Sequence, residues 1–289
     1  MAAPDVTGIL NVHKPTGWTS HDVVAKVRGL ASQKRVGHAG TLDPMAEGVL
    51  PVLLGRATRL ADLIQLGHKT YLATAQLGAS TDTDDAEGAV GQSAAVPALT
   101  PALIETAFDH FRGEILQRPP QYSALKVAGR RAYAVARAGG EVDLAPRPVS
   151  VYSLRLLGWT PPELTFEVTC SRGTYIRALA RDIAVELGTL GHLSALVRTR
   201  VGPFGIADAL TLDAVAANGL ERALLPASCA LPAAPTFSAT ADMALRLTHG
   251  QTLPAAGLCA ESLWVYDPVG RLVCLATADA TVLRSRLAL

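Results

Sequence analysis

The stretch GHAGTLDPMAEGVL, residues 37–50, places one carboxylate, Asp43, in a glycine-flanked turn that leads into an apolar run. Asp-Pro is a common turn former, so propensity alone is consistent with an aspartate that only shapes the loop. Gly37, Gly40 and Gly48 favour another interpretation, because glycine lets the backbone approach a ligand closely. A lone carboxylate in such a turn can act as a nucleophile or base if a nearby cation keeps it ionised despite burial.

A second motif, CSRGTYIRALARD at residues 170–182, offers that cation. Its arginines, Arg172, Arg177 and Arg181, lie around the start of a predicted helix, where each cation opposes the macrodipole by about 0.3–1 kcal/mol. We therefore expect an anion beside them, either a carboxylate from another segment or a phosphate from a ligand. The alternative is that the arginines point into solvent.

Two tyrosines, Tyr71 and Tyr175, lie beside these motifs. Aromatic residues make up only 5% of the chain, so their placement indicates a stacking platform for a nucleic-acid base, worth about 1–3 kcal/mol per base. Two ordinary half-buried tyrosines, one on a strand and one on a helix, are the alternative.

Composition limits the class of protein. With 289 residues, 49% of them hydrophobic, the chain can form a large domain together with a small one. No apolar run is long enough to cross a membrane and no secretory signal is visible, so we expect a cytoplasmic protein without a membrane partner. The four cysteines are scattered, and neither a metal-binding nor a phosphate-loop motif occurs, so we predict no metal and no cofactor.

The net charge of +1 conceals a strong segregation of charge. Residues 82–109 contain six acidic residues and no Lys or Arg, whereas residues 118–200 contain twelve Lys or Arg against six acids. The basic region is typical of a protein that binds a phosphate backbone. We expect the acidic stretch to form a solvated face turned away from the nucleic acid.

Periodicity and capping residues predict a series of short elements. Strands are expected at 8–12, 49–54, 69–78 and 164–170, and helices beginning near Ser20 or Thr19, Thr58, Thr100 and Thr174. Pro51 predicts an edge position or a bulge for its strand. Residues 117–147 form a long basic element, and residues 263–276 predict a β-hairpin in a small C-terminal β-domain that follows a linker near residue 232.

Five segments follow one another along the chain, namely NVHKPTGWTSHDVV (11–24), GHAGTLDPMAEGVLPVLLGRATR (37–59), KTYLATAQLGASTDTDDAEG (69–88), RPPQYSALKVAGRRAY (118–133) and SRGTYIRALARD (171–182). In this order they closely resemble the tRNA pseudouridine synthase B family, over roughly residues 8–205. The C-terminal part resembles the short PUA domain of bacterial members.

The resemblance implies an α+β fold with a mixed, mostly antiparallel sheet, flanking helices and a basic insertion. It implies a catalytic domain at 1–231, with an RNA-gripping insertion near 117–147, and a PUA-like domain at 232–289. The implied activity is the isomerisation of uridine to pseudouridine at position 55 in the T-loop of tRNA, with base flipping and without a cofactor. The expected partner is the T-stem-loop, and the expected state is a monomer.

Site residues are carried over from the resemblance. Asp43 matches the essential aspartate, Tyr71 the tyrosine that stacks on the flipped base, and Arg177 the arginine that pairs with the aspartate. Tyr175 matches an aromatic residue that packs nearby, and His38 a histidine that enters the space vacated in the RNA loop.

The resemblance also gives roles to five further residues, of which one lines the pocket and four support the active-site loop. Leu196 matches the pocket leucine, although HLSALVRTR (192–200) departs from the usual Leu-Arg-Arg of the family. Lys14 and Pro15 brace the active-site loop, while Gly37 and Gly40 let the RNA come close.

Two other classes compete with an isomerase. One is an RNA-binding or RNA-chaperoning protein without catalysis, and the other is a glycosidase or nucleosidase that uses Asp43. The combination of Asp43, Tyr71 and Arg177 favours an enzyme, because a pure binder has no need of a buried carboxylate near phosphate. Hydrolysis would release free uracil and isomerisation would not.

Overall fold

A computed structural model of the chain describes residues 6–122, 126–127, 130–131 and 144–289. Its helices are α1 (Ser20–Ala31), α2 (Ala61–Leu66), α3 (Pro101–Asp109), α4 (Ile176–Glu186), α5 (Leu212–Asn218), α6 (Leu220–Ala223) and α7 (Ala241–Thr248). Its strands are β1 (Gly8–Lys14), β2 (Val36–His38), β3 (Glu47–Leu54), β4 (Lys69–Leu77), β5 (Ala79–Thr81), β6 (Val90–Ser93), β7 (Gly113–Gln117), β8 (Lys126–Val127), β9 (Arg130–Arg131), β10 (Arg147–Thr160), β11 (Glu163–Cys170), β12 (Gly191–Val201), β13 (Phe204–Gly205), β14 (Thr236–Ser238), β15 (Leu253–Pro254), β16 (Cys259–Tyr266), β17 (Leu272–Asp279) and β18 (Val282–Ala288).

The large sheet has the order β1-β3-β12-β4-β11-β10-β7, with β2 beside β3 and β13 beside β12. Its described strand pairs are antiparallel except for a short parallel contact between β3 and β12. The predicted α+β class with a mixed, mostly antiparallel sheet is therefore confirmed.

One face of this sheet carries the core that supports the site. Strand β4 alternates strictly between buried and half-buried residues, which places Lys69 and Tyr71 on the buried face. Helices α3 and α4 cover the same face, since Phe108 and Leu179 are fully buried against the strands. Leu42 packs into this core as well, and the Asp43 loop is therefore fixed by hydrophobic burial on one side.

The start of α1 holds the same loop from the other side. Thr19 caps the helix through a capping box with Asp22, so Ser20 is free for a different task. The Ser20 hydroxyl accepts a hydrogen bond from the Leu42 N–H at 2.8 Å and donates one to the Leu42 carbonyl at 3.1 Å. Because Leu42 directly precedes Asp43, the N-terminal motif sets the position of the carboxylate.

Two local predictions are wrong. Pro51 lies in an interior strand, because β3 is paired with β1 on one side and with β2 and β12 on the other. The strand tolerates the proline because its pairing with β2 ends opposite Val52, so no ladder donor is needed at Pro51. Thr58 does not cap α2, because a 3₁₀ turn at Gly55–Leu60 runs directly into that helix and the Thr58 hydroxyl bonds to the Gly55 carbonyl.

A second sheet, with the order β14-β16-β17-β18-β15, forms the predicted C-terminal β-domain. Trp264 and Leu275 of this sheet share a buried cluster with Ile9 and Leu53 of the large sheet, so the two sheets pack against one continuous core. The domain boundary at 231/232 stays a prediction. Most of the predicted basic insertion falls on residues 123–143, of which the structure describes only the strands β8 and β9. No described helix is long and apolar enough to span a membrane.

Gly48 is needed for strand packing. Its φ is +103°, and a Cβ there would lie 2.4 Å from the carbonyl oxygen of Arg198 on β12. The proximity that we attributed to a ligand at this position is therefore the close approach of a neighbouring strand.

We expect Gly48→Ala to lower the free energy of unfolding by more than about 2 kcal/mol, because it adds backbone strain to a steric clash. Gly29→Ala is the matched control, since Gly29 lies in α1 and a Cβ added there would meet no atom within 4 Å; it should raise the stability by about 0.4–1 kcal/mol. Urea unfolding of both variants and of the wild type measures these changes in the free energy of unfolding. Equal stabilities would contradict the packing argument.

Candidate active site

A cavity of about 330 Å³ opens between the Asp43 loop, the start of β4, the end of β12 and the start of α4. It brings together six of the residues predicted from sequence, although they come from distant parts of the chain. These are Gly40, Asp43, Tyr71, Tyr175, Arg177 and Leu196.

Asp43 and Arg177 form an ion pair at this cavity, with the Arg177 Nε 3.0 Å from the Asp43 Oδ2. The Arg177 side chain is 7% exposed and that of Asp43 is 38% exposed. Within the described residues, Oδ1 of Asp43 makes no hydrogen bond. The carboxylate is therefore held through one oxygen, while the other stays available.

Three further groups surround the Arg177 guanidinium. It donates to the carbonyl oxygens of Thr83 at 2.7 Å and of Tyr122 at 2.9 Å, and its NH1 lies 3.3 Å from the buried carboxylate of Asp85. The sequence predicted an anion beside these arginines, but it assigned the whole acidic stretch to a solvated face. That is correct for Asp82, Glu87 and Asp109, which are exposed, and wrong for Asp85, which faces the site because a buried guanidinium must be neutralised there.

Lys14 supports the Asp43 loop from behind. Its side chain is fully buried, and its ammonium donates to the carbonyl oxygens of Pro15 at 2.9 Å, Trp18 at 2.6 Å and Pro44 at 3.3 Å. Burial lowers the pKa of Lys14 to about 8, and the nearby charge of Asp43 opposes that shift. The side chain thus links the turn at residues 15–18 to the residue that follows Asp43.

Arg198 is a site residue that the sequence analysis did not identify. It is fully buried on β12 and donates to the carbonyl oxygens of Val49 at 2.7 Å, Thr41 at 3.2 Å and Gly40 at 3.0 Å. An available signal was strand alternation, which places Arg198 on the same face as Leu196, two residues earlier.

Tyr71 lies on the cavity wall, and its side chain is nearly buried. Burial raises the pKa of its phenol to about 12, so the ring stays neutral in the physiological range. Tyr175 is the residue before α4, and both its backbone N–H and its carbonyl are bound by the Gln117 side chain. Burial therefore fixes the Tyr71 ring, and Gln117 fixes the backbone of Tyr175, before any ligand binds.

His38, Gly37 and Pro15 do not line the cavity. His38 ends β2, and its buried Nδ1 has no hydrogen-bond partner among the described residues. Burial, followed by the positive charge of Arg198, lowers the pKa of His38. Gly40 does line the cavity, and its φ of +110° is one that favours glycine.

A larger cleft of about 780 Å³ lies between the two sheets and is lined in part by Arg35, Arg56, Tyr266 and Arg271. It contains none of the predicted site residues, so the smaller cavity is the candidate active site. In the described part of the chain, no group of three or more His, Cys, Asp and Glu side chains could hold a metal ion.

The arrangement suits a flat, uncharged ring held near a carboxylate. Tyr71 and Leu196 offer apolar surfaces, and Asp43 offers a carboxylate oxygen beside a fixed guanidinium. Lys69 and Arg172 add positive charge to the lining, which favours a ligand that carries phosphates.

Two family descriptions match most of the chain. The one described as TruB family pseudouridylate synthase, N-terminal domain, matches residues 28–176. The one described as tRNA pseudouridylate synthase B C-terminal domain matches residues 177–231.

Individual proteins are similar over nearly the whole length. The tRNA pseudouridine synthase B of Thermobifida fusca is 46% identical over 93% of this chain and 94% of its own. The tRNA pseudouridine synthase B of Synechocystis sp. is 44% identical over 98% of this chain and 99% of its own. Among solved structures, a chain of a Cbf5-Nop10-Gar1 complex aligns with a TM-score of 0.71 and 28% identity over 95% of this chain and 79% of its own.

Lys69 provides a pH test of the cavity lining. Burial lowers its pKa from 10.5 to about 8, so between these values the unfolded chain holds a proton that the folded chain lacks. Stability should therefore rise with pH in that window, by at most about 1.4 kcal/mol per pH unit from this group. Lys69→Met should reduce the rise, measured as urea unfolding at about pH 8 and about pH 9.5. An identical pH dependence in both proteins would contradict the shifted pKa.

Proposed function

The chain belongs to the TruB family of pseudouridylate synthases, which are isomerases, and we propose that it converts uridine to pseudouridine at position 55 in the T-loop of tRNA. The observation that carries the proposal is the Asp43–Arg177 ion pair in a cavity lined by Tyr71 and Leu196. The site thereby combines one reactive carboxylate with apolar surfaces for a pyrimidine.

The reaction rearranges a single nucleotide. The bond from ribose C1′ to N1 breaks, a bond from C1′ to C5 forms, the C5 proton leaves and N1 gains a proton. Atoms balance without water or a cofactor. The uridine must first leave its stack at a cost of a few kcal/mol, and Tyr71 receives the flipped base by stacking.

Asp43 acts on the flipped nucleotide through the oxygen that Arg177 does not hold. Attack on C6, attack on C1′ and removal of a ribose proton are the three steps open to a carboxylate there. Arg177 orients the carboxylate in each of them, because the ion pair holds its other oxygen at 3.0 Å.

The basic lining and the C-terminal β-domain contribute to RNA binding in this proposal. Lys69 and Arg172 bind phosphates near the target nucleotide, and the protein recognises the T-stem-loop mainly by shape and backbone. The C-terminal sheet serves as a PUA-like domain, His38 enters the space left in the loop, and one protein chain acts on one tRNA in the cytoplasm.

Asp43→Asn should lower the single-turnover rate on T-arm RNA to less than about one hundredth of the wild-type rate, because the amide can neither attack nor accept the proton. RNA binding should be retained, and both pseudouridine and free uracil should be followed. Full activity in the variant would make Asp43 a turn residue. Free uracil from the wild type would indicate a hydrolase.

The stacking role of Tyr71 is tested by two substitutions. Tyr71→Phe should keep RNA affinity within about threefold, because the ring is preserved, whereas Tyr71→Ala should weaken productive binding by about 1–3 kcal/mol. Single-turnover rates over a range of enzyme concentration separate binding from chemistry. Equal losses in both variants would assign the effect to the hydroxyl group and contradict stacking.

A further inference from the structure

A second arginine on α4 repeats the contacts of Arg177 one helical turn further on. Arg177 and Arg181 are four residues apart, so they lie on the same face of the helix. Arg177 binds Thr83 and Asp85 of the acidic loop, which is residues 82–89 between β5 and β6. It also binds the segment Arg118–Tyr122, through the carbonyl oxygen of Tyr122.

Arg181 binds the same two segments at adjacent positions. Its NH1 lies 2.7 Å from the Oδ2 of Asp84, and its NH2 donates to the carbonyl oxygen of Arg118 at 3.0 Å. A third contact runs from its Nε to Asp182 at 2.9 Å. Arg181 does not line the catalytic cavity, so contact with the reacting atoms does not explain this arrangement.

Asp84 has a backbone conformation in the acidic loop that is unfavourable for most residues. Its φ of +59° lies in the left-handed region, which costs energy for a residue other than glycine and is best tolerated by Asn and Asp. Its carbonyl accepts a hydrogen bond from the Leu193 N–H at 3.0 Å. The loop is therefore held by β12 on one side and by Arg181 on the other, and this conformation directs the adjacent Thr83 carbonyl and Asp85 carboxylate toward Arg177.

We propose that Arg181 is a positioning residue whose ion pair with Asp84 holds the acidic loop and the Arg118–Tyr122 segment where they orient the Arg177 guanidinium against Asp43. The inference rests on the proposed function, in which Asp43 performs the chemistry. The Asp84 side chain is only 14% exposed, so without Arg181 a largely buried carboxylate loses its partner. The loop then relaxes, and Arg177 loses fixed acceptors on one side.

The test is a double-mutant cycle with Arg181→Gln and Asp84→Asn, because Asn also tolerates the left-handed backbone. At saturating enzyme, each variant should lower the single-turnover rate of pseudouridine formation about tenfold, and the double variant should be no slower than the slower single one. The Kd for T-arm RNA should change less than about threefold, because Arg181 lies outside the cavity. Arg181→Lys should restore part of the rate.

The matched control is Arg112→Gln, which removes an arginine paired with Glu105 of α3 at 2.5 Å and bound, like Arg181, to a backbone carbonyl, here that of Leu154 at 3.1 Å; its rate at saturating enzyme should equal that of the wild type. Thermal unfolding of every variant is measured in parallel. Reduced stability with an unchanged rate at saturation would overturn the positioning role, and so would a change confined to Kd. A wild-type protein that formed no pseudouridine would instead overturn the proposed function and, with it, this inference.

Discussion

The buried charge of Arg177 is the constraint on which the site depends. A guanidinium removed from water costs several kcal/mol unless its N–H groups meet acceptors and its charge meets an anion. Its partners come from three separate segments, namely the Asp43 loop, the acidic loop with Thr83 and Asp85, and the segment Arg118–Tyr122. No single segment satisfies the charge, so the site is complete only when all of them are docked on α4.

The Asp43 loop is also held by two buried cations that have carbonyl partners. Lys14 donates to the carbonyl oxygen of Pro44, which follows Asp43 in the chain. Arg198 donates to those of Gly40 and Thr41, which precede it. These contacts fix the backbone on both sides of Asp43 without consuming its carboxylate. A reacting carboxylate must be rigid and yet unoccupied on one oxygen, and carbonyl partners for the supporting cations meet both conditions.

The sequence predicted the main elements where local chemistry dominates. Alternation identified β4, the threonine–proline pair identified α3, and long motifs identified the family. It was wrong at Pro51 and Thr58, because interior strand pairing and the 3₁₀ turn before α2 are decided by neighbours distant in sequence. Two residues of the acidic stretch, Asp84 and Asp85, were also misassigned to a solvated face. Solvation is the usual state of consecutive aspartates, and only the docking of α4 shows that Asp84 and Asp85 face arginines.

The sequence by itself predicted an anion beside the arginines near the start of α4, and the family resemblance, carried by long motifs, predicted that Arg177 pairs with Asp43. The same resemblance implied the α+β class, whereas periodicity and capping, which are local properties, predicted individual elements such as β4 and α3. The tertiary structure alone decided that Asp85 and Arg198 complete the site, and that Gly48 serves strand packing rather than ligand approach. The physical reason is that burial and the partner of a charge depend on segments that meet only after the chain has folded.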